Sequence, residues 1–252
     1  MPTLWFVASL VVLIVAWQAA VEAELVSRLL FSSPSAVVEA AVSEVQVSRF
    51  WTDILATTTE FVLGFGLSVV VGVPVGLILG TQDRVRYLVG PLVDALNSTP
   101  QIAFLPLVLV WVGPTGRAAV VIAFLSAVAA VIINTQDGVK TVEPRFLAVA
   151  RSFGASRTQT FVTVLLPATV PFVIAGLRIG VGHALVSVFV AELFVASSGI
   201  GKMIELAGQT LHTERVYLGT LVFIAIGLAL FTVVRIVEGR LQHWRPREGG
   251  EL

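Results

Sequence analysis

No cysteine occurs in the 252 residues. That absence excludes a disulfide framework, a thiol nucleophile and any metal site built on thiolates. Charge is scarce too: Asp, Glu, Lys and Arg make up 13% of the chain, against about 25% in a soluble domain. Sixteen basic residues offset sixteen acidic ones, so no whole-chain field exists to attract nucleic acid. A phosphate-binding loop is also missing. Gly201-Lys202 is suggestive, but Ala196 stands in place of its first glycine and Met203 in place of the hydroxyl residue. No Ser/His/Asp or paired-carboxylate arrangement is evident, and His183 has no His or carboxylate at helical spacing to form a metal site. The chain therefore reads as neither an ATPase nor another enzyme.

What the chain has in excess is apolar surface: 56% of it is hydrophobic, and its mean hydropathy is +0.94. Runs long enough to cross a bilayer, which takes roughly 20 helical residues, lie near 4–23, 54–80, 87–112, 117–134, 168–196 and 216–237. In lipid only helices and closed barrels satisfy every backbone group, so the expected fold is all-α: one membrane domain over 1–252 with six transmembrane helices. The first run could pass for a signal peptide ending at Val21-Glu22-Ala23, but no Lys or Arg precedes it, so it is expected to be retained.

Arg84, Arg86, Lys140, Arg145, Arg151, Arg157, Arg235, Arg240, Arg245 and Arg247 fall on one side of these spans. Only Arg28, Arg49, Arg117, Lys202 and Arg215 fall on the other. The richer side is expected to be cytoplasmic, with both termini inside.

Within the spans, Gly64, Ser68, Gly72, Gly76 and Gly80 form a stripe of small residues suited to close helix packing, and Gly176, Gly180 and Ala184 form a shorter one. Ionisable residues at membrane depth face protein or an aqueous path, which singles out Glu60, Asp94, Arg178, His183 and Glu192. Glu60 and Arg178 could instead sit near the boundaries and reach out to water. Asn97, Thr99 and Gln101 surround Pro100, with Pro106 beyond. That pattern predicts a bent or unwound third span whose freed carbonyls need polar neighbours. Asn97, Thr99, Gln101, His183 and Glu192 are the candidate substrate-path residues.

Between the fourth and fifth spans lies a polar insert, 143–167. Glu143-Pro144 suits a helix start. Phe146, Val149, Ala150 and Phe153 then share one apolar face, away from Arg145 and Arg151. Gly154 is placed to end that helix in a left-handed conformation. Ser156 and Gln159 read as a capping box opening a second helix, which is expected to stop near Leu166 because Pro167 disfavours a helical residue before it. A helix, a sharp turn and a helix follow from this pattern. On physical grounds alone it fits equally a surface that grips another protein and an amphipathic helix resting in the headgroups.

Ala148-Val149-Ala150, then Gly154, then Val164, Leu166 and Pro167 resemble the EAA loop of ABC importer permeases. The glycine and Leu-Pro register agree without a gap, while Ala148 stands where that loop usually has an acid. More of the chain is similar to the permeases of nitrate, sulfonate and taurine importers: Pro34-Ser35, Gly64-Phe65, the run TPQIAFLPLVLVWVG over 99–113, Asn134-Thr135, Gly176-Leu177-Arg178, and AELFVASSGIG over 191–201.

The resemblance implies a type I ABC importer-like permease in a bacterial inner membrane. Its partners would be a cytoplasmic ABC ATPase dimer, an extracytoplasmic solute-binding protein, a second permease copy as a homodimer, and lipid. ATP and Mg would be used by the ATPase, with no cofactor on this chain. The ATPase-coupling residues would be Phe146, Ala148, Val149, Ala150, Arg151, Phe153, Gly154, Ala155, Leu166 and Pro167. Without the usual acid one exposed ion pair is lost, worth about 0–1 kcal/mol, so shape and the glycine turn should dominate the contact. The rival expectation is an ion-coupled secondary transporter working through Glu60, Asp94 and Glu192. Such folds commonly carry internal repeats, and no convincing pairing of the two halves is visible.

Overall fold

The computed structural model describes residues 2–27, 30–194 and 197–241. Arg28, Arg245, Arg247 and Val195-Ala196 of the last motif lie outside the described residues. In chain order the helices are α1 (Pro2–Glu22), α2 (Pro34–Glu44), α3 (Ser48–Thr81), α4 (Asp83–Ser98), α5 (Leu105–Val112), α6 (Gly116–Lys140), α7 (Pro144–Ser152), α8 (Arg157–Thr160), α9 (Leu166–Phe194), α10 (Ile200–Gln209) and α11 (Thr213–Leu241). Among the described residues there is no strand. Helices α1, α3, α6 and α11, and α9 together with the turns leading into it, are long and apolar enough to cross a membrane. Counting α4 with α5 as one broken span makes six.

The core is a bundle of three helices, α3, α6 and α9. Two-thirds of the apolar stretch of α6, 67%, is buried, whereas that of α11 is 0% buried, so α6 is the central helix and α11 the rim. The glycine stripe explains why α3 and α6 lie so close. A Cβ at Gly64 would meet Ala123 at 2.7 Å, one at Gly76 would meet the Ile132 carbonyl at 2.6 Å, and one at Gly80 would meet Val139 at 2.5 Å. Ser68 is buried in the same stripe. The contacts advance in step, 64 with 123 and 80 with 139, so α3 and α6 run parallel. Helix α9 runs antiparallel to α6, with Gly176 against Asn134 and Gly180 near Ala127. Phe61, Ala123, Ala127, Val181, Ala184, Leu185 and Val188 fill the space between the three. Burial at about 25 cal/mol per Å2 favours that packing only against the aqueous parts of the folding path; inside lipid, close backbone contact and dispersion take over.

The third span breaks where the sequence predicts. Thr99 (φ −98°, ψ 137°) and Pro100 are extended, because a residue before proline is pushed out of the helical region. A 3₁₀ turn over Gln101–Phe104 follows, and α5 leaves at 93° to α4. Thr99 Oγ1 donates to the Ala95 carbonyl (2.8 Å) and Gln101 Nε2 to that of Leu96 (2.7 Å), so the last carbonyls of α4 find partners. Pro106 lies in the first turn of α5, where it starts a helix rather than bending one.

Candidate functional site

The polar insert forms at the end of the core where α3 and α6 finish and α9 begins. Its first helix, α7, opens at Glu143-Pro144 and closes in a glycine turn. Gly154 has φ +75°, its N–H donates to Arg151 O (2.9 Å), and the Ala155 N–H reaches back to Ala150 O (3.1 Å). These two bonds are those of a Schellman cap, which favours glycine because a Cβ opposes the left-handed conformation.

Helix α8 starts in a complete capping box. The Gln159 N–H donates to Ser156 Oγ (3.2 Å), and the Ser156 N–H donates to Gln159 Oε1 (2.8 Å). The expected stop at Leu166 is not there. Leu166 is helical (φ −61°, ψ −49°), and a π-helical turn over Phe161–Leu165 runs straight into α9. Pro167 sits in the first turn of α9, where a missing N–H is tolerated, and the wider π turn makes room for its ring.

The apolar face of α7 is left without cover. Phe146 and Val149 are about half exposed and Phe153 is 87% exposed, while Arg145 stacks over the Phe146 ring and pairs with Glu143. Ala148 is exposed, and Ala150 is half-buried. Behind the helix a cleft of about 560 Å3 is lined by Thr81, Leu147, Arg151, Ala155, Arg157 and Phe161. Leu166 and Pro167 are half-buried at the foot of α9.

At the opposite end of α9 lies a second polar cluster. Glu192 is 0% exposed. It accepts hydrogen bonds from Thr57 Oγ1 of α3 (2.6 Å) and from the Gly201 N–H of α10 (2.7 Å). Thr57 Oγ1 in turn accepts from the Ile200 N–H (2.9 Å), and Asp53 Oδ1 from the Gly199 N–H (2.9 Å). Glu60, one turn along α3 from Thr57, is also buried, with Oε1 packed over Gly116. A Cβ there would come within 2.1 Å of that oxygen. Gly116 opens α6, and the positive end of a helix dipole suits an acid. Glu60 is therefore enclosed and does not reach out to water.

The remaining predicted residues separate. His183 is exposed on α9, with Nδ1 3.2 Å from the Ser126 carbonyl of α6. One turn on, Ser187 Oγ donates to Ser126 Oγ (2.6 Å). His183 and Glu192 are nine residues apart, about half a turn out of phase, and so face different neighbours. Thr99 and Gln101 serve the broken span, and Asn97 is exposed beside them. Arg178 pairs with Glu238 of α11. Among the described residues no group of three His, Cys, Asp or Glu could hold a metal.

Sequence reasoning missed Asp53, Thr57, Ser126 and Ser187. The available signal was the spacing of Asp53, Thr57 and Glu60, which at i, i+4 and i+7 share one face of the second span.

Three comparisons bear on this arrangement. Residues 72–243 match the family described as binding-protein-dependent transport system inner membrane component. The chain is 31% identical over 243 residues to the taurine transport system permease protein TauC of Escherichia coli K12, covering 94% of this chain and 88% of that one. It is 29% identical over 234 residues to the putative aliphatic sulfonates transport permease protein SsuC of Bacillus subtilis 168, covering 93% and 85%. In structure it is similar to a chain of the inward-facing MetNI methionine ABC transporter, with a TM-score of 0.58 at 21% identity over 74% of this chain and 94% of that one.

Proposed function

This chain belongs to the family of binding-protein-dependent transport system inner membrane components, and on that premise we propose how it works as the permease subunit of an ABC importer. The exposed apolar face of α7, held at a fixed angle by the Gly154 turn, carries the reading. Phe146, Val149 and Phe153 are the contact with a separate cytoplasmic ATPase dimer, which supplies the ATP hydrolysis. Ala148, Ala150, Arg151 and Ala155 frame that contact, and Leu166-Pro167 pass its movement into α9. Both termini and the insert lie on the cytoplasmic side, in keeping with the excess of Lys and Arg there.

Two copies of the chain enclose the substrate path. Exposed Leu88, Leu92, Val110 and Trp111 on the broken span supply apolar surface for that pairing, and His183, exposed on α9, supplies a polar group. The solute is a small sulfonate, taurine or nitrate, delivered by an extracytoplasmic binding protein; the names of the similar permeases support this class.

Affinity purification of the full chain from its native membrane tests the reading. An ATPase should co-purify, and uptake of taurine, an alkanesulfonate or nitrate should stop when that ATPase's phosphate-binding lysine is replaced. Uptake by the 252-residue chain alone in proteoliposomes would overturn it.

A further inference from the structure

The polar insert has two sides. One is the bare apolar face of α7; the other is the cleft of about 560 Å3 between α7, α8 and the end of α3, a size within the roughly 300–1,000 Å3 of small-ligand sites. Arg151 of α7 and Arg157 of α8 both line it. Among the described residues neither guanidinium meets an acid and no Asp or Glu lines the cleft, whereas nearby Arg145 is paired with Glu143. A third polar group belongs to the same wall. The Thr160 hydroxyl oxygen is buried there with no hydrogen-bond partner among the described residues. A buried hydroxyl in that state is costly, and a ligand oxygen would offset the cost.

The depth of the cleft narrows the choice of anion. Thr81, one of its lining residues, ends the α3 span, and Phe161 and Leu165 belong to the π turn that leads into the α9 span. A site at the polar ends of two spans lies at the level of lipid headgroups. Its lining is mixed in the same way: Leu147, Phe161 and Leu165 are apolar and half-buried, while both arginines are exposed. Basic pockets between membrane helices suit anionic headgroups, and each guanidinium can offer two parallel N–H donors to phosphate oxygens.

We infer that this cleft is a binding site for a phosphate oxyanion, supplied by the headgroup of an anionic phospholipid and held by Arg151, Arg157 and Thr160. The inference needs α3 and α9 to cross the membrane. It does not need the importer reading, and it gives Arg157 a role outside the ATPase contact.

Native mass spectrometry of the purified full chain in a non-ionic detergent is the test, with phosphatidylglycerol or phosphatidylcholine of the same acyl chains as the titrant. Phosphatidylglycerol should fill one site roughly tenfold more tightly than phosphatidylcholine. Arg157→Gln should weaken that binding by roughly fivefold, about the contribution of one basic residue at an anionic surface. Arg151→Gln combined with Arg157→Gln should erase the preference between the two lipids. Thr160→Val should also weaken binding by roughly fivefold, without lowering the unfolding midpoint of the lipid-free chain. Arg235→Gln, exposed on α11 and outside the cleft, should change nothing.

If Arg157→Gln does not fold, Arg151→Gln and Thr160→Val decide. Equal affinity for the two lipids, or unchanged phosphatidylglycerol binding in the folded variants, overturns the site. So does an equal loss in Arg235→Gln, which would mark attraction to charge in general. Displacement of phosphatidylglycerol by excess inorganic phosphate would assign the cleft to a free oxyanion and overturn the lipid as its source.

Discussion

Thr57 of α3 and Glu192 of α9 stand 135 positions apart in the chain and meet in a buried 2.6 Å hydrogen bond. Thr57 Oγ1 both donates to Glu192 and accepts from the Ile200 N–H, so a single hydroxyl joins three helices. Polar groups in an apolar interior are tolerated when each finds a partner, and removing one member leaves the others uncompensated.

Thr57→Val keeps the shape of the side chain and removes both bonds. It should destabilise the folded chain by about 1–3 kcal/mol, the penalty for orphaned buried groups. Thr57→Ser should recover most of that loss. Thermal unfolding in detergent, followed by tryptophan fluorescence, would show the difference; equal midpoints for all three proteins would refute it.

The Gly154 turn predicts a graded series. Nothing lies within 4 Å of a Cβ added there, so strain comes from φ +75° alone. Gly154→Ala should cost about 1 kcal/mol locally and keep partial uptake. Gly154→Val should lose more, because branching at Cβ disfavours that region further. Gly154→Pro should abolish coupled transport while the protein still inserts, since proline cannot reach positive φ and removes the bond to Arg151. Uptake assays at matched membrane levels check the order.

Phe153, at 87% exposed, contributes nothing to packing within the chain. Phe153→Ser should leave the unfolding midpoint within the range of surface changes, about ±0.5 kcal/mol, yet weaken retention of the ATPase on purification. Retention equal to wild type would remove Phe153 from the contact.

The glycine stripe supplies its own control. Gly76→Ala forces a Cβ to 2.6 Å from the Ile132 carbonyl, whereas Gly66→Ala meets nothing within 4 Å. The first should lower stability by about 1–3 kcal/mol through overpacking. The second should be neutral or slightly stabilising, since alanine is the better helix former. Quantitative membrane levels of the two variants are the measurement.

The parts legible in the sequence are those that depend on near neighbours. Span length, the break at Pro100, the Gly154 cap and the Ser156–Gln159 box all rest on residues within a few positions of each other. The Leu166–Pro167 junction departs from expectation because the rule for a residue before proline speaks of one dipeptide, and the π turn ahead of it relieves the clash. Thr57, Asp53 and the start of α10 stayed hidden for a different reason. Their partners are about 140 residues distant, and no local pattern says which buried hydroxyl will meet which helix end. Glu192 is legible in the sequence as an acid at depth, but its enclosure by Thr57 and the start of α10 belongs to the fold.

The π turn between α8 and α9 has one more consequence. Each residue advances a helix by about 100°, so a turn that holds one extra residue resets the angular phase of everything beyond it. Phe161–Leu165 therefore acts as a spacer whose residue count sets the direction in which Phe146, Val149 and Phe153 point relative to α9. The segment already carries a polar, exposed residue in Thr163, so its length rather than uniform apolarity sets this phase. Deletion of one residue would restore an ordinary helix and swing the exposed face of α7 away by about a quarter of a circle.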